Sequence, residues 1–423
     1  MKTGSVNLNI RWIILFFLFF ATVLLYLDRS ALGIMAPFLQ DEIGWSEQQY
    51  GNINSAFMIG YALCFLIMGV IVDRIGTKAG YAISVSLWAI AQASTALAKS
   101  WIGFALARTG LSIGQSGNFP VANKVLAEWF PKKERAFAVG LYNGGSNVGT
   151  LLSPLIIPVV VSAFSNDWRA AFLWTLPLSV LWIACWLFFY RKPEKHRLVS
   201  RQEIEYINSD SAVESLEKVK WSTLLKTREV WAICAGKFMA DPIWWFYLFW
   251  GAKFLNGKYG LNLQEIGVPF FTIYLISWGG GISLGWLTSK FLKKGWSLNK
   301  GRKMGFLICA TFALPVMLVP HVNNMWLAVG LIAVAAGGHC GWSANIFSLM
   351  SDLFPRKATA SVTGIGGFAG AVGGALIAQL VGGLLQSSGM DGYVIPFFIA
   401  SIGYFIALAI IHLLVPNIKP LSL

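Results

Sequence analysis

Apolar residues fill this chain in long blocks, and short clusters of charged residues, Gly, Pro and Asn interrupt them at fairly regular intervals. About 20 mostly apolar helical residues are enough to cross the hydrocarbon core of a bilayer. On that measure the blocks predict twelve spanning helices, over residues 10–39, 48–72, 79–98, 101–125, 136–163, 169–190, 229–255, 266–289, 304–320, 325–350, 358–386 and 393–415. The one long polar stretch, Arg191 to Lys226, falls between the sixth and seventh spans. It divides the chain into an N-terminal six-helix bundle (1–190), a cytoplasmic central loop (191–228) and a C-terminal six-helix bundle (229–423). The N-terminus is basic and then apolar, as a signal peptide is. Its apolar run, however, continues into Tyr26-Leu27-Asp28-Arg29 and reads as the first span.

Composition removes the soluble alternative. Hydrophobic residues make up 56% of the chain and charged residues 12%, about half the usual charged fraction of a soluble domain. The net charge of +14 does not point to nucleic acid, because no soluble basic face exists to carry it. It is a topology signal. With the N-terminus inside, most of the 33 basic residues fall in cytoplasmic segments, and loops 1–2, 9–10 and 11–12 hold none. Both termini are therefore expected in the cytoplasm. Cys64, Cys185, Cys234, Cys309 and Cys340 all lie in apolar stretches without C-x-x-C spacing, so neither a disulfide framework nor a metal site is expected, and no cofactor motif is present.

The two halves are copies. Glu128-Trp129-Phe130-Pro131-Lys132-Lys133 recurs as Asp352-Leu353-Phe354-Pro355-Arg356-Lys357, and the same 224-residue offset carries Gly140 onto Gly364, Val148 onto Val372 and Gly149 onto Gly373. Shared membrane composition would not keep a charged loop in register. Duplicated bundles of this kind are typical of transporters that rock two halves around a midplane site.

Ionisable groups inside a membrane cost at least about 2.5–3.5 kcal/mol each and mark function by default. In the first half these are Asp28 and Arg29 in span 1, Arg108 in span 4, and Lys124 near the inner end of span 4. Arg108 and Gln115 are seven residues apart and share a helix face, with Ser112 and Asn118 close to the same stripe. An Asp28–Arg108 pair across the bundle is expected, broken when the acid takes a proton. Arg29 points about 100° away from Asp28 and offers a carboxylate bidentate geometry. Span 5 places Asn143, Ser146, Asn147 and Thr150 on one polar side among glycines. With Tyr61, Trp245, Tyr247, Trp342, Ser343 and Asn345 they form a candidate site for a polyhydroxylated ligand. Lys237 and Asp241 are spaced to neutralise each other, which suggests a structural or gating role. His339 falls where the offset places the counterpart of Gln115, and reads as a packing histidine.

Loop 2–3 reads Gly69-Val-Ile-Val-Asp73-Arg74-Ile-Gly76-Thr-Lys78, with a decayed copy from Gly285 to Lys290. The pattern resembles the signature loop of the major facilitator superfamily, in which Gly69 would allow close helix approach and Asp73 and Arg74 would latch the cytoplasmic side. Tyr26-Leu-Asp28-Arg29, Ala107-Arg108 through Asn118-Phe119-Pro120, Glu128-Trp-Phe-Pro131 and Trp342-Ser-Ala-Asn345 extend the resemblance to the anion:cation symporters within it. Asp241-Pro-Ile-Trp-Trp-Phe-Tyr-Leu-Phe-Trp250 is most similar to bacterial hexuronate carriers.

The resemblance implies an all-α major facilitator fold and proton-coupled uptake of a sugar-acid monoanion, glucuronate or galacturonate, across the bacterial inner membrane. Asp28 would be the protonation site, Arg29 and Tyr61 substrate contacts, and Arg108 the partner that reorganises. Gln115 departs from the family, which usually has a glutamate there. Glutamine cannot titrate, so an uncoupled facilitator stands as an alternative, beside a carrier of an aldonate such as galactonate or of sialate. The partners expected are the organic anion, protons and lipid, with the chain acting as a monomer. No nucleophile–base pair, metal cluster or phosphate loop suggests an enzyme.

Overall fold

The computed structural model describes residues 9–209, 219 and 221–421. Lys2, one of the basic residues read as cytoplasmic, lies outside them. Twelve spans appear among the described residues. Eight stretches are long and apolar enough to cross a membrane by length and composition, and the last of these, Ser361–Leu414, holds two helices. Three more helical spans complete the set. Thr77–Thr95 is rich in Ser and Thr, Trp101–Gln115 is continued by Asn118–Trp129, and Arg228–Tyr259 carries buried charges.

Most helices run past their apolar blocks, because the signals that start and stop them lie in the polar flanks. Span 2 (Glu47–Ile75) opens with a capping box: the Ser46 hydroxyl accepts from Gln49 N at 3.2 Å, and the Gln49 side chain accepts from Ser46 N at 2.9 Å. Span 8 (Leu263–Lys293) opens the same way on Asn262 and Glu265. Span 1 (Ile10–Ile43) ends at Gly44 in the left-handed conformation, φ 72°. Pro131 and Pro355 hold Phe130 and Phe354 extended, so span 5 (Lys132–Ala163) and span 11 (Arg356–Ser388) start at equivalent points of the two halves. In span 9 the α-helix Leu298–Ala313 tightens to 3₁₀ over Leu314–His321, where Pro315 and Pro320 supply no N–H.

Each half is a six-helix bundle, and spans 1 and 7, 2 and 11, and 5 and 8 meet across the interface. Their outer ends are closed. Gly51 of span 2 lies so near the Ala378 carbonyl that a Cβ there would sit 2.6 Å from its oxygen. Tyr50 donates to Phe249 O at 2.7 Å, and Gln48 donates to Gln379 at 2.8 Å. Lys253 of span 7 (Arg228–Tyr259) binds both oxygens of Glu47, at 2.7 and 2.6 Å, and also the side chain of Gln40. This buried latch joins spans 1, 2 and 7.

Towards the cytoplasm the halves part around a cavity of about 760 Å³. Beneath the N-terminal half, the described part of the central loop is docked by helix Arg201–Ile207. Its buried Glu203 accepts from the Ile10 and Arg11 amides at 3.3 and 3.2 Å, standing in for the missing N-cap of span 1.

Closure of the outer ends depends on backbone-to-backbone approach at Gly51. Gly51→Leu should prop them apart, making a cysteine at Gln379 several-fold more reactive towards an impermeant maleimide added from outside. The comparison is with the same cysteine on the otherwise unchanged chain, with the native cysteines removed in both.

Candidate functional site

The centre of the N-terminal half is organised by Arg108, which is fully buried in span 4. Its Nη1 donates to the backbone carbonyl of Asp28 at 3.2 Å and its Nη2 to that of Arg29 at 2.9 Å. The expected side-chain pair between Asp28 and Arg108 is therefore not made. Asp28 Oδ1 accepts instead from the Thr175 hydroxyl of span 6 at 2.6 Å, and Oδ2 has no partner. The reason is geometric: the guanidinium is spent on two carbonyls of span 1, and the carboxylate leaves that helix towards span 6.

Arg29 is also buried. Its Nε donates to Gln115 Oε1 at 3.0 Å, while Gln115 Nε2 donates to Leu25 O at 3.1 Å. The amide is thus fixed in one orientation by an obligatory donor on one side and an obligatory acceptor on the other. Four rings surround the guanidinium carbon, those of Tyr26 at 5.0 Å, Phe57 at 5.3 Å, Tyr61 at 4.9 Å and Trp245 at 5.4 Å. Nη2 of Arg29 has no hydrogen-bond partner. Tyr26 and Trp245 are also walls of the central cavity, so the box around Arg29 adjoins it.

The polar side of span 5 behaves as its spacing predicts: Asn143, Ser146, Asn147 and Thr150 all line the cavity. Opposite them stand Trp244 and Trp245 of span 7 and Ser343 of span 10 (Met325–Leu353). Lys237 and Asp241 form the expected pair at 2.8 Å and also line the cavity. His339 lines it too, stacked on Trp244 at 5.2 Å with its Nδ1 2.9 Å from the Tyr404 hydroxyl.

Three candidate contacts point elsewhere. Trp342 is buried between Phe306 and Tyr404, with ring centroids at 4.6 and 5.3 Å. Asn345 donates to Gly341 O of its own helix at 2.9 Å and lies against span 9. Tyr247 faces a separate small void among Phe246, Phe270 and Phe397. In span 10 the cavity face runs through residues 339, 340, 343, 344 and 347. Residues 342 and 345 fall on the far side of the same helix, a turn of 100° per residue being enough to separate neighbours.

At the signature loop, a Cβ on Gly69 would meet nothing within 4 Å, so the close approach expected there is absent in this conformation. Asp73 pairs with Lys124 of span 4 at 2.9 Å, within its own half, and Arg74 is exposed. Sequence reasoning missed Thr175, the Tyr26 and Phe57 walls, and the outer latch of Gln40, Glu47 and Lys253. For the latch there was a usable signal, since Lys253 interrupts the apolar run of span 7 and Glu47 sits in a capping sequence.

Known proteins place this geometry in context. The chain is 32% identical to the hexuronate transporter of Escherichia coli (strain K12) over 389 residues, 90% of this chain and 89% of that one. It is 37% identical to the galacturonate transporter of Dickeya chrysanthemi over 290 residues, 67% of this chain and 83% of that one. Among solved structures, a bacterial homologue of the human lysosomal transporter Spinster, in an inward-facing and unoccupied conformation, matches with TM-score 0.78 at 18% identity over 96% of each chain. Residues 18–378 match the Major Facilitator Superfamily. With twelve spans, basic inner loops and relatives that are transporters and not enzymes, this multi-pass inner-membrane protein belongs to the Major Facilitator Superfamily.

Proposed function

We propose that the protein takes up a singly charged sugar acid, a hexuronate such as glucuronate or galacturonate, together with protons. The observation that carries this reading is the buried Arg29 guanidinium, boxed by four aromatic rings and holding one unpartnered nitrogen beside the cavity. A carboxylate is the complement of that group. The amides and hydroxyls of Asn143, Ser146, Asn147 and Ser343 suit the hydroxyls of a sugar ring, and Trp244 and Trp245 offer faces for its C–H edges. The relatives named above for hexuronate and galacturonate transport support the same class.

Coupling is assigned to Asp28. In the inward-open arrangement its buried Oδ2 has no hydrogen-bond partner and is the oxygen assigned to carry the proton, while Thr175 satisfies Oδ1. Loss of that proton leaves a bare carboxylate next to the helix turn that Arg108 holds. The charge then draws the guanidinium away from the span 1 carbonyls and releases the turn carrying Arg29. Gln115 stands as a permanently neutral partner of Arg29, which keeps that guanidinium unneutralised at every pH.

The direct test is uptake by proteoliposomes across a panel of uronates and aldonates, with and without an imposed proton gradient. Uronate accumulation that follows the gradient is expected, and no uptake of any sugar acid would overturn the reading. Arg29→Ala should weaken uronate binding at least about tenfold, the loss of a charge-assisted hydrogen bond, measured by titration of the purified protein. Asp28→Asn should retain uronate counterflow but lose accumulation driven by the gradient, whereas an uncoupled facilitator would show neither gradient response nor any effect of the substitution. Gln115→Glu should make binding pH-dependent. At high pH the ionised glutamate neutralises Arg29 and affinity falls; at low pH the protonated acid reproduces the amide and wild-type affinity returns. Equal affinity of the variant at both ends of the pH range would contradict the assigned contact.

A further inference from the structure

The cavity holds a charged pair that the uptake reading leaves unused. Among the described residues lining it, Lys237 is the only lysine or arginine and Asp241 the only carboxylate. They sit one turn apart on span 7, bonded at 2.8 Å, with side chains 12% and 22% exposed. Span 11 holds both in place. A Cβ on Gly366 would lie 3.2 Å from the Lys237 stem, and one on Gly370 would strike the Asp241 carboxylate, so the two glycines form the seat on which the pair rests. Lys237 also lies 5.5 Å from the Phe347 ring centroid, and His339 and Cys340 of span 10 are titratable groups on that wall.

We propose that Asp241 determines the charge class of the substrate. By holding Lys237 in an ion pair, it prevents that ammonium from serving as a second carboxylate site, so the cavity accepts singly charged sugar acids and rejects dicarboxylic ones. This rests on the sugar-acid reading above. The position fits the task. Asp241 is one helical turn, about 5.4 Å, from Trp245, whose ring faces the Arg29 guanidinium. A six-carbon diacid with one carboxylate on Arg29 extends its other end towards span 7. There it meets the Asp241 carboxylate, and the only cation within reach is already neutralised. Rejection of this kind works by an unfavourable contact built against the competitor, not by a better contact with the preferred ligand.

The test compares binding of galacturonate and of galactarate, the diacid of the same carbon skeleton, to the purified full-length protein by titration calorimetry. The wild type should prefer galacturonate. Asp241→Asn frees Lys237 and should raise the galactarate-to-galacturonate affinity ratio at least about tenfold, the scale of one charge interaction in a partly hydrated cavity. The double variant Asp241→Asn with Lys237→Gln should return the ratio towards wild type. The exchanged pair, Lys237→Asp with Asp241→Lys, should retain it and reports whether the fold tolerates change at these positions. An unchanged ratio in Asp241→Asn, or a gain that survives in the double variant, overturns the proposal. If Asp241→Asn does not fold, Lys237→Gln decides. It leaves Asp241 unneutralised and should weaken galactarate more than galacturonate, and equal weakening overturns the proposal. Failure of the wild type to bind either acid sinks this inference together with the proposed function. Galacturonate binding with unaltered ratios sinks this inference alone.

Discussion

A guanidinium buried at the middle of a membrane protein must find acceptors, and Arg108 finds two in the backbone of span 1. The rest of the site follows from that constraint. Carbonyls of a regular helix are already engaged by the amides four residues on, so Arg108 adds a second donor to each and ties one turn of span 1 to span 4. On that turn stand Asp28 and Arg29. Because the turn is held, Asp28 is delivered to Thr175 and Arg29 to Gln115, seven residues along span 4 from the arginine that holds it. The aromatic box then closes around Arg29 from spans 1, 2 and 7. A side chain so placed has few rotamers left open to it, which is the physical content of preorganisation.

The duplicated halves use one frame for different chemistry. In the first half a Cβ at Gly149 would meet the carbonyl of Val23, and in the second one at Gly373 would meet that of Phe238. Six residues beyond Val23 lies Arg29, and six beyond Phe238 lies Trp244. Arg29 bonds Gln115, and Trp244 stacks on His339, which the 224-residue offset makes the counterpart of Gln115. The same inter-helix contact is thus charged on one side and aromatic on the other. At the inner ends the frame is kept with a different exchange. Glu128 accepts from the hydroxyls of Tyr190 and Thr77 at 2.7 and 3.3 Å, whereas its counterpart Asp352 pairs with Arg302 at 2.6 Å. Duplication supplied the scaffold, and divergence of a few side chains put a buried guanidinium at this contact in the first half and an aromatic stack in the second.

This division explains what the sequence made legible. Span positions could be read because twenty apolar residues are a length requirement of the bilayer, independent of packing. Asn143, Ser146, Asn147 and Thr150 could be read because polar residues repeating on one face of an apolar helix have few places to go except a cavity. Trp342, Asn345 and Tyr247 could not. Periodicity tells which residues share a face, but both faces of spans 7 and 10 carry aromatic and polar groups, and only the neighbouring helices decide which one meets water. The Asp28–Arg108 pair failed for a related reason. Opposite charges at one depth suggest pairing, yet backbone carbonyls compete for a guanidinium, and they carry no sequence signature. The box around Arg29 draws its four rings from three spans, so no local pattern announces it.

The outer closure is specific without being strong. The Lys253–Glu47 pair is 7% and 22% exposed and shares its lysine with Gln40. An ion pair taken out of water recovers little net energy, because desolvation offsets most of the attraction. When the outer ends part, both charges are hydrated again, and the cost of breaking the pair falls as water enters. Such a latch fixes the register in which spans 1, 2 and 7 meet without making the closed state deep. The contacts at Gly51 and at the Tyr50–Phe249 hydrogen bond are of the same kind, close and specific but small in area. The inner cavity places its own ion pair, Lys237–Asp241, along one helix rather than across the interface, so rocking of the halves does not have to break it. The interface therefore carries the Lys253–Glu47 charges where parting of the outer ends hydrates them, while the pair on the cavity wall is held within a single helix.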